Sequence, residues 1–192
     1  MSRIDWAGIR KDFPILQRQV HGKPLVYLDS ANTAQKPEAV IRAVDDFYRQ
    51  HNANVSRAVH QLGAEATEAY EGARLRLAAF VNVHPNDLVL TSGTTQAINL
   101  VAYSFALPRL QAGDVILVTR MEHHANLVPW QLIAERTGAH VVPVDITATG
   151  EIDLSALRTQ LKAPVKLLAI THVSNVLGTV NPVAEICRES RR

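Results

Sequence analysis

The sequence predicts an α/β protein built on a mainly parallel, doubly wound sheet, and three observations carry that prediction. From residue 87 onward, short apolar runs alternate with stretches of helical periodicity. The runs are nearly continuous in Val, Ile and Leu, as expected of strands buried on both faces. Strand and helix alternating at these lengths is the pattern of parallel strands joined by helical crossovers.

The elements follow in order. Residues 5–11 read as a short opening helix, followed by Pro14 and a loop through His21-Gly22-Lys23-Pro24. Residues 25–28 are expected to form a short strand ending at Asp29. Pro37, whose fixed φ suits a first helical turn, should open a helix with Val40, Ile41, Val44, Phe47 and Tyr48 at helical spacing. Residues 51–57 are polar and irregular, and 62–81 form a long amphipathic helix with Leu75, Ala79 and Phe80 on its apolar side. Strands are then expected at 87–91, 114–118, 140–144 and 166–171, with helices at 95–107, 129–136 and 154–161. Pro182 opens a last helix that runs to Arg192 without a glycine stop. A further strand would ordinarily follow, so the expectation is a fold whose C-terminal part is missing. Residues 1–60 are expected to form an N-terminal segment, and 61–192 the first part of a larger domain.

Composition excludes several function classes. Of 192 residues, 47% are hydrophobic and 20% charged, which is ordinary for a globular protein. Twenty basic against 18 acidic residues leave a formal +2, evenly mixed, which argues against nucleic acid or an anionic membrane as partner. Aromatics at 5% are too few for a base-stacking platform. The amino terminus has no apolar segment of signal-peptide length, and runs such as Leu167-Leu168-Ala169-Ile170 are far too short to span a bilayer. The single cysteine, Cys187, excludes an internal disulfide, and the whole reads as cytoplasmic. Cys187, four residues after Val183, is expected to pack on the buried face of the last helix and to be inert.

Three polar loops could carry chemistry. Thr91-Ser92-Gly93-Thr94-Thr95 precedes a helix, whose first N–H groups and neighbouring hydroxyls suit a phosphate. The plainer alternative is a Ser/Thr helix cap. It is neither GxGxxG nor a Walker loop. Met121-Glu122-His123-His124-Ala125-Asn126 follows a strand, at the sheet edge where open parallel sheets bind ligands. One histidine there could stack on a planar ring or move a proton. The alternative is one packed and one solvated histidine, a metal pair being disfavoured because adjacent residues rarely point at one ion. Thr171-His172-Val173-Ser174-Asn175-Val176-Leu177-Gly178-Thr179 follows the last strand. Its Asn175 amide could contact a ring oxygen or a carboxylate. The alternative is an Asx turn, with Gly178 supplying backbone freedom. Three polar loops at one edge weigh more than any one alone.

Taken in order, four blocks resemble the pyridoxal-phosphate (PLP)-dependent cysteine desulfurases. They are Leu28-Asp29-Ser30-Ala31-Asn32-Thr33-Ala34-Gln35-Lys36-Pro37, Ser92-Gly93-Thr94-Thr95-Gln96-Ala97-Ile98-Asn99-Leu100-Val101, the Met121–Asn126 block with Pro129-Trp130-Gln131, and the block from Thr171 to Gly178. Their order and spacing are similar to the SufS-type branch, and the resemblance runs from about Asp12 to the end. It implies part of the large domain of PLP fold type I. It also implies that Gly93, Thr94 and Thr95 hold the PLP phosphate. His123 would stack over the pyridine ring and assist proton transfer, and Asn175 would contact the ring oxygen or the substrate carboxylate. The implied activity takes sulfur from L-cysteine as an enzyme persulfide, releases alanine, and passes the sulfur to an acceptor protein for iron–sulfur cluster assembly. The full-length family is expected to be homodimeric.

The departures from the family also have consequences. Beyond the Asn175 block the family carries an Asp-Gly-Ala-Gln strand, a Ser-Gly-His-Lys segment whose lysine attaches PLP, a sulfur-accepting cysteine and carboxylate-binding arginines. These residues are not among the 192. Covalent attachment of PLP is therefore impossible in this polypeptide alone, which is expected to be inactive and poorly stable. Ser56, in Asn54-Val55-Ser56-Arg57, stands where relatives often have histidine. Other readings are a selenocysteine lyase or related class V lyase, a non-catalytic module that pairs with a desulfurase subunit, and a generic nucleotide-binding α/β domain.

Overall fold

In the computed structural model, which describes residues 4–57 and 59–190, the chain forms two units, one ending at Leu90 and the other beginning at Thr91. The first unit is helical. Its opening helix α1 (Trp6–Lys11) starts where the Asp5 carboxylate accepts the Gly8 N–H at 2.9 Å. A two-residue hairpin follows, β1 (Gln19–Val20) against β2 (Lys23–Pro24). Its turn residues His21 (φ 52°) and Gly22 (φ 73°) both lie in the left-handed region that tight hairpins require. The Arg10 guanidinium donates to the Leu16 and Leu25 carbonyls at 2.9 and 2.6 Å, which holds the chain on either side of the hairpin to α1.

Helix α2 (Glu38–Asp46) begins just after Pro37, as the sequence predicts, and its first N–H donates to the Asp12 carbonyl at 2.7 Å. It winds into a π turn over Phe47–His51. The long helix α3 (Gln61–Phe80) is capped by His60 Nδ1, which accepts the Gly63 N–H at 3.2 Å.

Three expectations for this unit fail. Residues 25–28 and 88–91 belong to no strand among the described residues. An apolar run becomes a strand only when another edge completes its hydrogen bonds, and neither run has such a partner here. Residue 87 itself closes a 3-10 turn, Pro85–Asp87. The face of α3 expected to be buried, with Leu75, Ala79 and Phe80, is exposed, and the buried positions are Gly63, Ala66 and Ala78. Periodicity names an apolar face, but burial depends on what packs there.

The second unit contains the three-stranded sheet. Helix α4 (Thr94–Val101) runs into a π turn, Ala102–Ala106, which accounts for the predicted helix at 95–107. Strand β3 (Val115–Thr119) is central, flanked by β4 (His140–Val144) and β5 (Val165–Ala169), both parallel to it. Helix α5 (Val128–Thr137) joins β3 to β4 and ends at Gly138, whose φ of 76° is the left-handed cap glycine favours. Helix α6 (Leu154–Gln160) joins β4 to β5 and starts at the Asp153 carboxylate, which accepts from the Ser155 and Ala156 amides. Helix α7 (Val183–Glu189) follows β5.

Because side chains alternate along a strand, β3 feeds two cores. Ile116 and Val118 pack with Ala102, Trp130 and Ile133, so α4 and α5 cover one face. Leu117 packs with Val144, Leu157 and Ile186, so α6 and α7 cover the other. This is the doubly wound arrangement that the apolar runs predict. Cys187 departs from expectation: it is exposed, and Ile186 takes the buried position of α7. Adjacent residues on a helix stand about 100° apart, so both cannot face the sheet.

Candidate functional site

The site is built on the second unit, beginning with α4. Gly93 is its N-cap and has no side chain to accept from the first-turn amides. The alternative of a Ser/Thr side-chain cap is therefore not what forms. Instead Gln96 reaches back, its Oε1 accepting the Ser92 N–H at 2.7 Å and the Ser92 hydroxyl at 2.8 Å. The Thr91 hydroxyl donates to the Gly93 carbonyl at 3.1 Å. The loop is thus held by residues other than Thr94 and Thr95, both of which are exposed. Gly93 has a φ of 160°, extended backbone open to any residue, and a Cβ added there would meet nothing within 4 Å. What glycine leaves is room beside a helix start whose amides lack a side-chain acceptor, a donor set that fits a phosphate.

His123 lies in the loop after β3, where it caps the 3-10 turn His124–Asn126. Its Nδ1 accepts the Ala125 N–H at 3.1 Å. The neutral ring therefore carries its hydrogen on Nε2, pointing away from the backbone turn. The His123 and His124 rings meet edge to face, with centroids 6.2 Å apart.

In the loop after β5, the turn is made by Ser174 and not by Asn175, so the alternative of an Asx turn does not form. The buried Ser174 hydroxyl accepts the Leu177 N–H at 3.1 Å, and its amide donates to the Thr179 carbonyl at 2.9 Å. Gly178 does supply the left-handed residue, with φ 72°. Asn175 is exposed beside this turn, its amide not needed to form it.

One residue without an assigned role in the sequence reading joins these loops. Glu122 Oε1 accepts the backbone N–H of Thr171 at 2.7 Å and the Thr119 hydroxyl at 2.5 Å. Its Oε2 accepts from Asn126 Nδ2 at 2.7 Å, and Asn126 Oδ1 accepts the indole N–H of Trp130 at 3.0 Å. The His123 loop is thereby bonded to the start of the Asn175 loop. Helix α4 packs beside the His124–Asn126 turn, with Ile98 and Leu127 on a shared core. The signal in the sequence was the spacing of Glu122, Asn126 and Trp130, four residues apart, but nothing in that spacing reveals a partner 49 residues away, Thr171.

No helix among the described residues is long and apolar enough to cross a membrane.

Comparison with known proteins gives this geometry a context. The family described as aminotransferase class-V matches residues 26–192. A probable cysteine desulfurase of Xylella fastidiosa is 69% identical over 188 residues, covering 98% of this chain and 45% of that protein. The apo structure of a cysteine desulfurase from Thermococcus onnurineus superposes with a TM-score of 0.89 at 34% identity, covering 100% of this chain and 46% of that one. A C-DES variant with glycine covalently linked to its PLP cofactor superposes with a TM-score of 0.76 at 26% identity, covering 95% and 46% of the two chains. The α/β fold is that of the N-terminal part of PLP-dependent cysteine desulfurases. The chain spans about half the length of the relatives it matches.

Proposed function

The chain belongs to the class-V aminotransferase family, and on that premise we propose that it carries the phosphate-binding and ring-covering part of a SufS-type cysteine desulfurase site. The observation that carries the reading is the start of α4, where Gly93 leaves first-turn amides without a side-chain acceptor and opens space beside them. The 69% identity to a probable cysteine desulfurase supports the activity, and the order of the four sequence blocks supports the choice of branch.

When bound, PLP supplies an electron sink that stabilises negative charge developing on the amino acid. The residues of this chain bind and orient. The amides of Gly93, Thr94 and Thr95 and the two threonine hydroxyls hold the phosphate dianion, favoured by the positive end of α4. His123 would cover the ring and present Nε2 as the atom that gives or takes a proton. Asn175 donates from its amide to the ring oxygen or to the substrate carboxylate. L-cysteine is the proposed substrate, a sulfur-acceptor protein for iron–sulfur cluster assembly the proposed partner, and the dimer and cytoplasmic location belong to the same proposal. So does a division of the chain at residues 60 and 61.

The test uses the protein produced from its whole reading frame. Supplied with PLP and L-cysteine, it should release alanine and retain a persulfide, and Thr95→Ala should weaken PLP binding about tenfold, the loss of one hydrogen bond to a charged group. His123→Ala should lower kcat by on the order of a hundredfold, the contribution of one acid–base group. Residues 1–192 alone should show no turnover above free PLP. No PLP binding by the whole protein, or binding unaffected by Thr95→Ala, would overturn the reading.

A further inference from the structure

We propose that Glu122 is a positioning residue whose carboxylate, by accepting at both oxygens, fixes the His123 loop against the Asn175 loop. The inference rests on the cofactor-site reading above only for its consequence, since the bonding pattern belongs to the chain itself.

The hydrogen-bond chain has a direction set at both ends. The indole N–H of Trp130, which is buried, can only donate, so Asn126 must turn its Oδ1 toward Trp130 and its Nδ2 toward Glu122. At the other end the Thr171 amide, a backbone N–H, can also only donate. The residue between them therefore accepts on both sides. Of the side chains with glutamate's length, only a carboxylate does so. Glutamine would turn its NH2 against either Asn126 Nδ2 or the Thr171 N–H. Turning Asn126 over would move the conflict to the indole. A donor facing a donor in a part-buried site loses both the bond and its solvation.

The consequence falls on the site because Glu122 immediately precedes His123, Asn126 ends the turn that His123 caps, and Thr171 opens the loop that holds Asn175. Two segments far apart in sequence are thus held at one separation by one carboxylate.

The pattern predicts a specific rescue. Asn126→Asp in a Glu122→Gln background restores every bond: the aspartate accepts from Trp130 and from the glutamine NH2, and the glutamine oxygen accepts from Thr171 and Thr119. In the whole protein, PLP affinity should fall on the order of tenfold in Glu122→Gln and in Asn126→Asp, and return to within about threefold in the double variant. The ring 15N signals of His123, measured without cofactor, should show hydrogen on Nε2 in the wild type and in the double variant, and a mixture of tautomers in each single. If wild type binds no PLP, the function reading fails, while the ring signals still decide the positioning role. Should a single variant not fold, Trp130→Phe serves instead: it frees Asn126 to turn over, so Glu122→Gln in that background should keep the wild-type ring signals. Losses that simply multiply in the Glu122→Gln/Asn126→Asp pair, or singles with wild-type ring signals, would overturn the proposal.

Discussion

The unit ending at Leu90 and the unit beginning at Thr91 carry similar apolar sequence but use it differently. In the second, Ile116, Leu117, Ile133 and Val144 are fully buried around a three-stranded sheet. In the first, Leu28 is 92% exposed and Phe80 87%, and the only buried positions of α3 are a glycine and two alanines. The difference teaches that a helix completes its hydrogen bonds within itself and forms wherever the local sequence allows, whereas a strand and a core need partners. α2 and α3 form with their apolar faces exposed, but the strand-like runs at 25–28 and 88–91 pair with no strand among the described residues.

This contrast can be broken or sharpened by experiment on the polypeptide of residues 1–192, with the largest effect expected in the sheet. Ile116→Ala and Ile133→Ala each delete a fully buried side chain from the core under α5 and should cost about 2–5 kcal/mol in denaturant unfolding. A smaller effect is expected at Gly138, where φ is 76° and a Cβ would approach the Ala112 Cβ to 3.0 Å. Gly138→Ala should cost about 1 kcal/mol or more, read by the same unfolding curves. Smallest should be Leu28→Ser and Phe80→Ser, within about 0.5 kcal/mol of the parent because neither side chain is buried. A loss of several kcal/mol at Phe80 would erase the contrast.

One expected effect depends on pH. The Asp153 carboxyl at the start of α6 is held below its ordinary pKa first by the Ala156 amide, then by the Ser155 hydroxyl and amide. A carboxylate with a lowered folded pKa contributes stability above its unfolded value, about 3.9, and loses that contribution as pH falls through the folded value. Asp153→Asn keeps an acceptor at the cap but does not titrate, so the difference between variant and parent should narrow as unfolding is followed below pH 4. A constant difference across that range would remove Asp153 from the pH dependence.

Much of the second unit was legible in the sequence because its signals are local. Pro182 marks the start of α7, and the apolar run at 140–144 predicts β4 to the residue. The site was legible as three loops, because polar Gly-, His- and Asn-containing segments interrupt that pattern. Its internal bonding was not. The Ser/Thr cap that the sequence offers as an alternative at α4 is a glycine backed by Gln96, the alternative Asx turn near Asn175 is made by Ser174, and the face expected for Cys187 is held by Ile186. In each case several neighbouring side chains could make the same bond, and the sequence does not rank them.

By itself, then, the sequence determined the alternation of strand and helix in the second unit and which loops are polar, since these depend on dihedral preference and periodicity within a few residues. Only the tertiary structure decided that β3 is central and feeds two cores, that apolar runs at 25–28 and 88–91 find no edge among the described residues, and that Glu122 bonds to Thr171. Those depend on contacts between residues distant along the chain, whose geometry no local preference encodes.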